Sequence, residues 1–279
     1  MTANQHHGKV ALVTGAARGQ GRSHALALAA EGADIIAVDI CSDIAAVPYP
    51  LSTEAELEET ARQIREFGRR VVARKVDVRD MSAQQTVIDA AVAELGRLDI
   101  VVANAGIQTM GPIEEISEDA WNQVIAVNLT GVFFTARAVV PHLKRNETGG
   151  AIVITSSVAG EVGLANLAHY VASKHGVIGL MKSMANELGP FNIRVNAVLP
   201  TSVRTPMIDN PATIALFDPA GATDGTLDAV AGAYAEMQSL PFPWLDPEDV
   251  TGTVMFLVSD AAARITGSSM RVDGGAITK

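Results

Sequence analysis

Short apolar runs of strand length recur along the chain, and amphipathic stretches of helical length lie between them. The runs read KVALVTG, ADIIAVDI, RRVVARKVDV, LDIVVANAG, GAIVITSS, IRVNAVLP and SSMRVDGG. Strands that alternate with helices predict a mainly parallel sheet that is covered by helices on both faces. The sequence therefore predicts one doubly wound α/β domain over residues 1–279, because folds of this class reach that length as a single domain.

Charge and composition narrow the classes of partner. A formal net charge of −10, with no basic stripe, argues against a nucleic-acid partner because such a surface repels phosphates. No apolar run approaches the roughly 18 residues that a membrane span needs, so no membrane association is expected. The single Cys41 excludes an internal disulfide, and the start MTANQHHGK lacks the order of a signal peptide; together they predict a cytoplasmic protein.

Three places carry signals for the start of a helix. Thr53 with Glu56 and Ser82 with Gln85 have the spacing of a capping box. Asp246 is followed by proline, which is a typical cap and first-turn pair. These signals predict three helices that begin just after Thr53, Ser82 and Asp246.

A glycine-rich turn, TGAARGQG, directly follows the first predicted strand and opens the first helix. Gly15, Gly19 and Gly21 let the backbone approach a pyrophosphate, whose charge the helix N-terminus stabilises. The turn is not a P-loop, because no Lys-Ser/Thr follows the last glycine. A tight strand-to-helix turn would use the same glycines, but Asp39 lies 18 residues later (39 − 21 = 18), near the place expected of a ribose-binding carboxylate. Together these features predict a dinucleotide site.

Asp39 selects between the two nicotinamide dinucleotides. At the end of the second strand a carboxylate can accept hydrogen bonds from ribose hydroxyls and repel a 2′-phosphate, which favours NAD over NADP. Arg18 and Arg22 leave the alternative open, since a guanidinium there could hold that phosphate or could simply pair with carboxylates.

The third and fourth strands end with further candidates at the same edge of the sheet, where open α/β folds bind ligands. Asp77 could contact adenine. In the Asn104-Ala105-Gly106 turn, Gly106 could let the adenosine lie against the backbone. Taken singly, each of these could equally be an ordinary turn residue.

Five motifs stand in a fixed order: TGAARGQG, ANAG, VNLTG, TSSVAG and YVASK. In order and spacing they resemble the short-chain dehydrogenase/reductase family over essentially the whole chain. The resemblance implies a single Rossmann-like domain, a homotetramer, and interconversion of alcohols and carbonyls with a nicotinamide cofactor. It also implies catalytic roles, in which Tyr170 is the general acid/base and Lys174 its activator and ribose ligand. Ser157 would bind the substrate oxygen, and Asn128 would hold a proton-relay water.

The resemblance and the sheet-edge argument together predict one set of NAD contacts. The set is Gly15, Arg18, Gly19, Gln20, Gly21, Asp39, Ile40, Asp77, Val78, Asn104, Ala105, Gly106, Tyr170, Lys174, Pro200, Thr201, Val203 and Thr205. Its last four members come from LPTSVRTPM. The family more often has glycine after the proline, where this chain has Thr201, so the sequence does not determine the backbone conformation there. No metal site is expected, because the histidines show no ligand spacing with Cys41 or the acidic residues.

The Tyr170 and Lys174 pair suits proton transfer from an alcohol, because a spacing of four stacks both side chains on one helix face. Tyrosine ionises near about 10, but an ammonium about 4 Å away would favour the phenolate by about 4 kcal/mol at an effective dielectric constant of about 20. Before competition from solvent, this is an upper figure of roughly three pK units. Taken singly, the pair could be an amphipathic edge, Ser157 a strand-end hydroxyl and Asn128 a polar helix residue. Ser157 is not expected to be a nucleophile, because no G-x-S-x-G elbow surrounds it.

An insertion at about 40–52 carries the string VPYPL and, with LPTSVRTPM, resembles one subgroup, the mycofactocin-associated dehydrogenases, which include carveol dehydrogenase-like proteins. In that subgroup NAD is thought to stay bound while mycofactocin, a peptide-derived redox carrier, removes the electrons. Prolines stiffen the insertion, and Ile44, Val47, Tyr49 and Leu51 could cover the adenosine half of NAD. Alternatively, they pack against a neighbouring subunit or a surface helix.

A second long connection, at about 205–245, is predicted to form a lid beside the nicotinamide. Its apolar residues are Met207, Ile208, Leu216, Phe217, Tyr234, Met237, Leu240, Phe242 and Trp244. They favour a hydrophobic secondary alcohol or ketone, carveol-like or otherwise terpenoid- or steroid-like, although an oligomer contact would use the same residues. Two other functions stay open: an ordinary exchanging NAD(P)-dependent carbonyl reductase and a non-catalytic NAD(H)-sensing module.

Overall fold

The computed structural model describes residues 4–218 and 220–278, so residues 1–3, 219 and 279 of the predicted domain lie outside the described residues. Its strands are β1 (Val10–Thr14), β2 (Asp34–Asp39), β3 (Val71–Lys75), β4 (Ile100–Ala103), β5 (Gly150–Thr155), β6 (Ile193–Pro200) and β7 (Ser269–Val272). They form one sheet in the order β3-β2-β1-β4-β5-β6-β7. All neighbouring strands in this sheet are parallel, which confirms the predicted doubly wound α/β fold.

Helices cover both faces of this sheet. They are α1 (Gly19–Ala30), α2 (Glu54–Glu66), α3 (Met81–Leu95), α4 (Glu118–Ile125), α5 (Gly131–Lys144), α6 (Ala168–Leu188), α7 (Pro211–Phe217), α8 (Ala231–Glu236) and α9 (Pro247–Val258). A π-helical turn, Ala126–Thr130, joins α4 to α5.

Two aliphatic cores lie on opposite faces of the sheet, because successive side chains of a strand point to opposite sides. Val10 and Leu12 pack with α3, α5 and α6. Ala11 and Val13 pack with α1, α2 and α9. Burial on both faces explains why the strands read as nearly continuous apolar runs in the sequence.

The strand order reverses between β1 and β4, since β2 and β3 lie on one side of β1 and the later strands lie on the other. A crevice forms outside the carboxyl ends of the strands at such a switch point. The glycine turn follows β1 and the ANAG turn follows β4, so the topology brings these two motifs together at the crevice.

Two of the three predicted helix starts are confirmed. The Thr53 hydroxyl accepts from the backbone of Glu56, and the Glu56 carboxylate accepts from the backbone of Thr53, so α2 begins with a capping box. At the start of α9 the Asp246 backbone donates to the Asp249 carboxylate at 2.8 Å.

The prediction for α3 is wrong, because the helix begins earlier than Ser82. The Asp80 carboxylate caps it by accepting from the backbone N–H of Ala83 at 2.9 Å. Aspartate and serine are both good caps, so the spacing of Ser82 and Gln85 did not distinguish between them.

One helical stretch meets the length and composition of a membrane span, which the sequence argument did not anticipate. Glu118–Lys144 is 27 residues long, and its most apolar window has a mean hydropathy of 1.6. Half of that window is buried inside the domain. The core helix of a folded domain can satisfy the same criteria, so the stretch is weak evidence for a membrane span.

Two substitutions test where α3 begins. We expect Asp80→Ala to lower the free energy of unfolding by about 1 kcal/mol, because the Ala83 N–H loses its acceptor. Ser82→Ala should change it by less than about 0.5 kcal/mol, because Ser82 is exposed and does not cap the helix. Urea titrations followed by circular dichroism measure both, and equal losses would contradict the assignment of the cap.

Candidate active site

Hydrogen bonds join the carboxyl ends of β1, β4 and β5 beneath the crevice. The Thr14 hydroxyl accepts from the backbone N–H groups of Asn104 and Ala105, each at 3.0 Å. The Asn104 amide donates to Thr14 O at 3.1 Å, and its oxygen accepts from the Thr155 hydroxyl at 3.2 Å. These bonds hold three strand ends in register, and they determine where the loops that follow begin.

The turn after β1 requires glycine at positions 15, 19 and 21. Gly15 and Gly19 have φ angles of 67° and 55°, in the left-handed region that favours glycine. A Cβ on Gly21 would lie 1.9 Å from Gly15 O. At the N-terminus of α1, Gln20 Oε1 is buried and has no hydrogen-bond partner among the described residues. A turn of this shape leaves backbone N–H groups and the N-terminus of α1 for an anion.

A cavity of about 500 Å³ runs along this edge of the sheet. The predicted NAD contacts line it with the exception of Gly21, which lies under Gly15. Of the predicted catalytic residues, Ser157, Tyr170 and Lys174 line it and Asn128 does not.

The cavity also has lining residues that the sequence argument missed. They include Ser52, Ile107, Gln108, Met110, Leu164, Leu167, Thr213, Ala276 and Ile277. Ile107 and Gln108 directly follow ANAG, so their position could have indicated them. The others belong to none of the quoted motifs; Thr213 lies on α7 and the rest lie in loops, and only the fold brings them together.

Two carboxylates at the edge already have partners within the chain. Asp39 Oδ2 accepts from Ala17 N at 2.9 Å, and Oδ1 accepts from the Ser52 hydroxyl. Asp77 forms an ion pair with Arg79 at 2.5 Å. A carboxylate has about four acceptor positions, so Asp39 keeps capacity for ribose hydroxyls.

Arg18 and Arg22, which could hold the 2′-phosphate of NADP, both have hydrogen-bond partners within the protein. Arg22 donates to the backbone oxygens of Ala17 and Glu56 at 2.5 and 2.8 Å. Arg18 donates to Pro50 O at 2.5 Å and lies 3.9 Å from the Glu56 carboxylate. Both guanidinium groups are therefore engaged within the protein, which supports the preference for NAD.

Tyr170, Lys174 and Ser157 meet on one wall of the cavity. Lys174 Nζ lies 5.5 Å from the centre of the Tyr170 ring and donates to Thr155 O at 2.9 Å. The Ser157 hydroxyl hydrogen-bonds the Tyr170 side chain and accepts from Ala159 N at 3.2 Å. Tyr170 is 8% exposed and Lys174 is 4% exposed.

The expectation that Lys174 makes Tyr170 more acidic is wrong. Burial raises the pKa of Tyr170 to about 12, against the opposing hydrogen bond from Ser157. Burial also lowers the pKa of Lys174 to about 8. Loss of solvent penalises both charged forms, and the ammonium hydrogen-bonds a backbone oxygen instead of the phenol.

Asn128 lies in the π-helical turn and binds the loop after β4. Its Oδ1 accepts from Ile107 N at 2.9 Å, and its Nδ2 donates to Ile107 O at 2.9 Å and to the Ser173 hydroxyl at 3.2 Å. The side chain therefore fixes the loop that carries Ile107, and its role as a water ligand stays a prediction.

His169 directly precedes Tyr170 on α6. It is fully buried, and its Nε2 hydrogen-bonds the Thr109 hydroxyl, so it anchors the same loop at a second point.

The insertion at about 40–52 lies over the cavity and is attached at three points. The Tyr49 hydroxyl accepts from Gln108 N at 3.1 Å, next to the ANAG turn. Pro50 O accepts from Arg18 of the glycine turn, and the Ser52 hydroxyl donates to Asp39. The contacts reach the loops after β4 and β1 and the last residue of β2.

The apolar residues of the insertion pack beside the catalytic wall. Ile44 and Tyr49 are buried in one cluster with Tyr170, and Val47 and Leu51 pack against it. Ile44, Tyr49 and Leu51 line the cavity, whereas Val47 does not.

The second long connection begins and ends at one place. Leu245 N donates to Ser202 O at 2.9 Å, and Arg204 N donates to Leu245 O at 2.8 Å. Of the nine predicted lid residues, Leu240, Phe242 and Trp244 do not line the cavity and the other six do. Phe242 packs against the core beneath α9, and Leu240 is exposed.

Comparisons with known proteins agree with this geometry. The family model for short chain dehydrogenases matches residues 9–213. The chain belongs to the short-chain dehydrogenase family. The (-)-trans-carveol dehydrogenase of Rhodococcus erythropolis is 48% identical to this short-chain dehydrogenase, over 98% of each chain.

Solved structures extend the agreement to the fold. The crystal structure of carveol dehydrogenase from Mycobacterium avium in complex with NAD has a TM-score of 0.97 at 49% identity, covering 99% of this chain and 100% of that chain. A short-chain dehydrogenase from Mycobacterium paratuberculosis bound to NAD has a TM-score of 0.91 at 40% identity, with coverage of 99% and 100%. The predicted family and the carveol dehydrogenase-like resemblance are confirmed. Among the described residues, no group of three or more His, Cys, Asp or Glu side chains could hold a metal ion.

The buried Lys174 ammonium predicts a pH-dependent stability. Its pKa is lowered from 10.5 to about 8, so between these values the unfolded chain binds more protons and stability rises with pH. We expect Lys174→Met to stabilise the cofactor-free protein most below about pH 8, with an advantage that shrinks towards pH 10.5. Urea titrations across that range measure the difference.

Lys182→Met is the matched control, because Lys182 lies on the same helix and is exposed. Its effect on the free energy of unfolding should not vary over that pH range. An equal pH dependence in both variants would show that the burial of Lys174 is not its cause.

Proposed function

We propose that this NAD-dependent short-chain alcohol dehydrogenase oxidises hydrophobic secondary alcohols to ketones and keeps its NAD bound between turnovers. One observation carries the proposal: Tyr170, Ser157 and Lys174 share a cavity wall with the glycine turn and Asp39. A module that only senses NAD(H) needs the turn and the carboxylate but not the three polar side chains. The relative named as a carveol dehydrogenase, and the structure of such an enzyme in complex with NAD, support both the alcohol and the cofactor.

The residues at the edge of the sheet fit NAD. The turn that only glycine can form would hold the pyrophosphate, with the buried and unpartnered Gln20 Oε1 beside it. Asp39 would hold the adenosine ribose, and Thr201, Val203 and Thr205 would border the nicotinamide. Bound NAD would supply the acceptor for the hydride of the alcohol.

Proton transfer falls to Tyr170, with Ser157 holding the same substrate oxygen. Burial raises the pKa of Tyr170 to about 12, so the phenol is protonated and can donate to a ketone oxygen. Alcohol oxidation needs the phenolate, and positive charge beyond that of Lys174 would lower the pKa of Tyr170 towards it. Lys174 would hold a ribose of NAD, and Asn128 keeps the adjoining loop in place for the proton to leave.

The lining of the cavity supports a hydrophobic substrate. Met110, Leu164 and Leu167 contribute from loops on one side. The segment at about 205–245, proposed as the lid, contributes Ile208 and Phe217 among others. Apolar walls around a few fixed polar groups are typical of sites for small hydrophobic ligands, and carveol-like terpenoid or steroid-like alcohols fit this description.

The attached insertion supports retention of NAD. Its contacts to Arg18, Asp39 and Gln108 lie over the loops that would hold the pyrophosphate, the ribose and the adenosine. Release of NAD would break all three contacts at once. Mycofactocin would then reoxidise the bound NADH in place, and the alternative is an ordinary reductase that exchanges its cofactor at every turnover.

A homotetramer would cover aromatic side chains that the single chain leaves exposed. Trp121 is 43%, Phe133 46% and Phe191 45% exposed. Light scattering after gel filtration measures the mass of the assembly, and a monomer would contradict the proposal.

Retention of NAD can be tested on the purified protein. We expect NAD to copurify with it, and we expect alcohol to reduce a dye acceptor without steady production of NADH from added NAD. Absorbance and mass spectrometry of the released cofactor measure the first, and stopped assays measure the second. Tyr49→Phe should speed the exchange of NAD several-fold, because the insertion loses the contact with Gln108 N. Rapid NADH formation by the unaltered protein would favour the exchanging reductase.

The role of Tyr170 can be tested separately. Tyr170→Phe should keep the copurified NAD but lower alcohol oxidation by at least about 100-fold, because it removes the proton-transferring group. Oxidation in single turnovers with bound NAD measures the loss. An unchanged rate would remove Tyr170 from the reaction.

A further inference from the structure

Tyr234 is the largest fully buried side chain among the described residues, and it lies in the proposed lid. It is 1% exposed and sits on α8. Its ring lies 4.2 Å from the ring of Phe217 and 5.9 Å from the ring of Trp244, measured between centroids. The two aromatic neighbours hold the phenol in one orientation.

The Tyr234 hydroxyl has no hydrogen-bond partner among the described residues. The Asp209 carboxylate acts on its phenol through charge and not through a hydrogen bond. The hydroxyl is not one of the enclosed polar atoms that lack a partner, so it keeps accessible surface instead of being sealed in the core. Tyr234 lines the cavity that Tyr170 and Ser157 also line, whereas Asp209 does not line it. A molecule in the cavity can therefore supply the partner that the protein does not.

The chemistry of the partner follows from the surrounding charges. Burial raises the pKa of Tyr234 above its ordinary value, so the hydroxyl stays a donor at any working pH. The cations that line the cavity are Arg18 and Lys174, and both donate to backbone oxygens. The described lining has no cation besides these two, and the charge of Asp209 acts on Tyr234. A negatively charged group is therefore not favoured beside the Tyr234 hydroxyl. An uncharged oxygen acceptor fits it.

We propose that the Tyr234 hydroxyl donates a hydrogen bond to a second, uncharged oxygen of the substrate, distal to the carbinol that Tyr170 and Ser157 hold. The substrate class is then a hydrophobic alcohol with a further carbonyl, hydroxyl or ether oxygen. This inference rests on the proposed function for the position of the carbinol. Tyr234 acts as a residue that determines specificity, because an analogue without the second oxygen leaves its hydroxyl unpaired.

The test compares ligand pairs that differ only in the second oxygen. One pair is cyclohexanol and 4-hydroxycyclohexanone, and the longer pair is androstan-3-ol and 3-hydroxyandrostan-17-one. Binding to the protein with its copurified cofactor is measured by the fluorescence of Trp244, which contacts the Tyr234 ring. Dye-coupled kcat/KM is measured beside it.

In the unaltered protein, the member with the second oxygen should bind about tenfold more tightly in at least one pair. Tyr234→Phe keeps the ring contacts and should reduce that ratio to near one. Replacing the ketone of 4-hydroxycyclohexanone by a carboxylate should also abolish the preference. Tyr49→Phe is the matched control, since it removes one phenol oxygen from the opposite segment, and it should preserve the ratio while it alters exchange of NAD.

Several results would overturn the inference. The first is a binding ratio near one for both ligand pairs in the unaltered protein. The second is a binding ratio that Tyr234→Phe leaves intact. The third is loss of copurified NAD in Tyr234→Phe, which would assign the hydroxyl to the cofactor. Failure of the proposed function gives a different pattern. The ligands then bind but none is oxidised, and the binding ratios still decide the role of Tyr234.

Discussion

The junction between Thr14, Asn104 and Thr155 is the interaction on which the site depends. It joins the ends of β1, β4 and β5 through the Thr14 hydroxyl, the Asn104 amide and the Thr155 hydroxyl. The glycine turn, the ANAG turn and the Ser157 turn all start from these strand ends. Their relative positions are set by backbone groups that cannot shift independently, and a cofactor site and a catalytic wall can then face the same cavity.

Burial shifts the pKa values of Tyr170 and Lys174 in opposite directions, because it favours the neutral form of each side chain. It keeps the phenol of Tyr170 protonated, and it weakens the hold of Lys174 on its own proton. The attraction between charges four residues apart on a helix gives only an upper limit for the acidity of the phenol, before competition from solvent, and the loss of solvent here outweighs it. The phenol is thus ready to donate a proton, and removing one requires further positive charge in the cavity.

The two long connections close the cavity in different ways. The insertion at about 40–52 is attached by polar contacts to the loops that would hold NAD, so it belongs with the cofactor. The segment at about 205–245 is tied at its base by Ser202, Arg204 and Leu245 and meets the cavity with apolar side chains. One segment is therefore suited to retention of a cofactor and the other to selection of a substrate. Tyr234 brings a phenol hydroxyl into this largely apolar part of the lining.

The sequence by itself determined the fold class, because alternation of apolar strands with amphipathic helices leaves few arrangements that bury both faces of a sheet. It also indicated the glycine turn and Asp39, since these depend on local backbone and on one strand end. Tertiary structure alone decided the cap of α3, where two suitable side chains compete within three positions. It likewise decided the partners of Arg18 and Arg22, the attachment of Tyr49 and the isolation of the Tyr234 hydroxyl. Those features depend on groups far apart in the chain, and no local pattern records whether a distant partner is present.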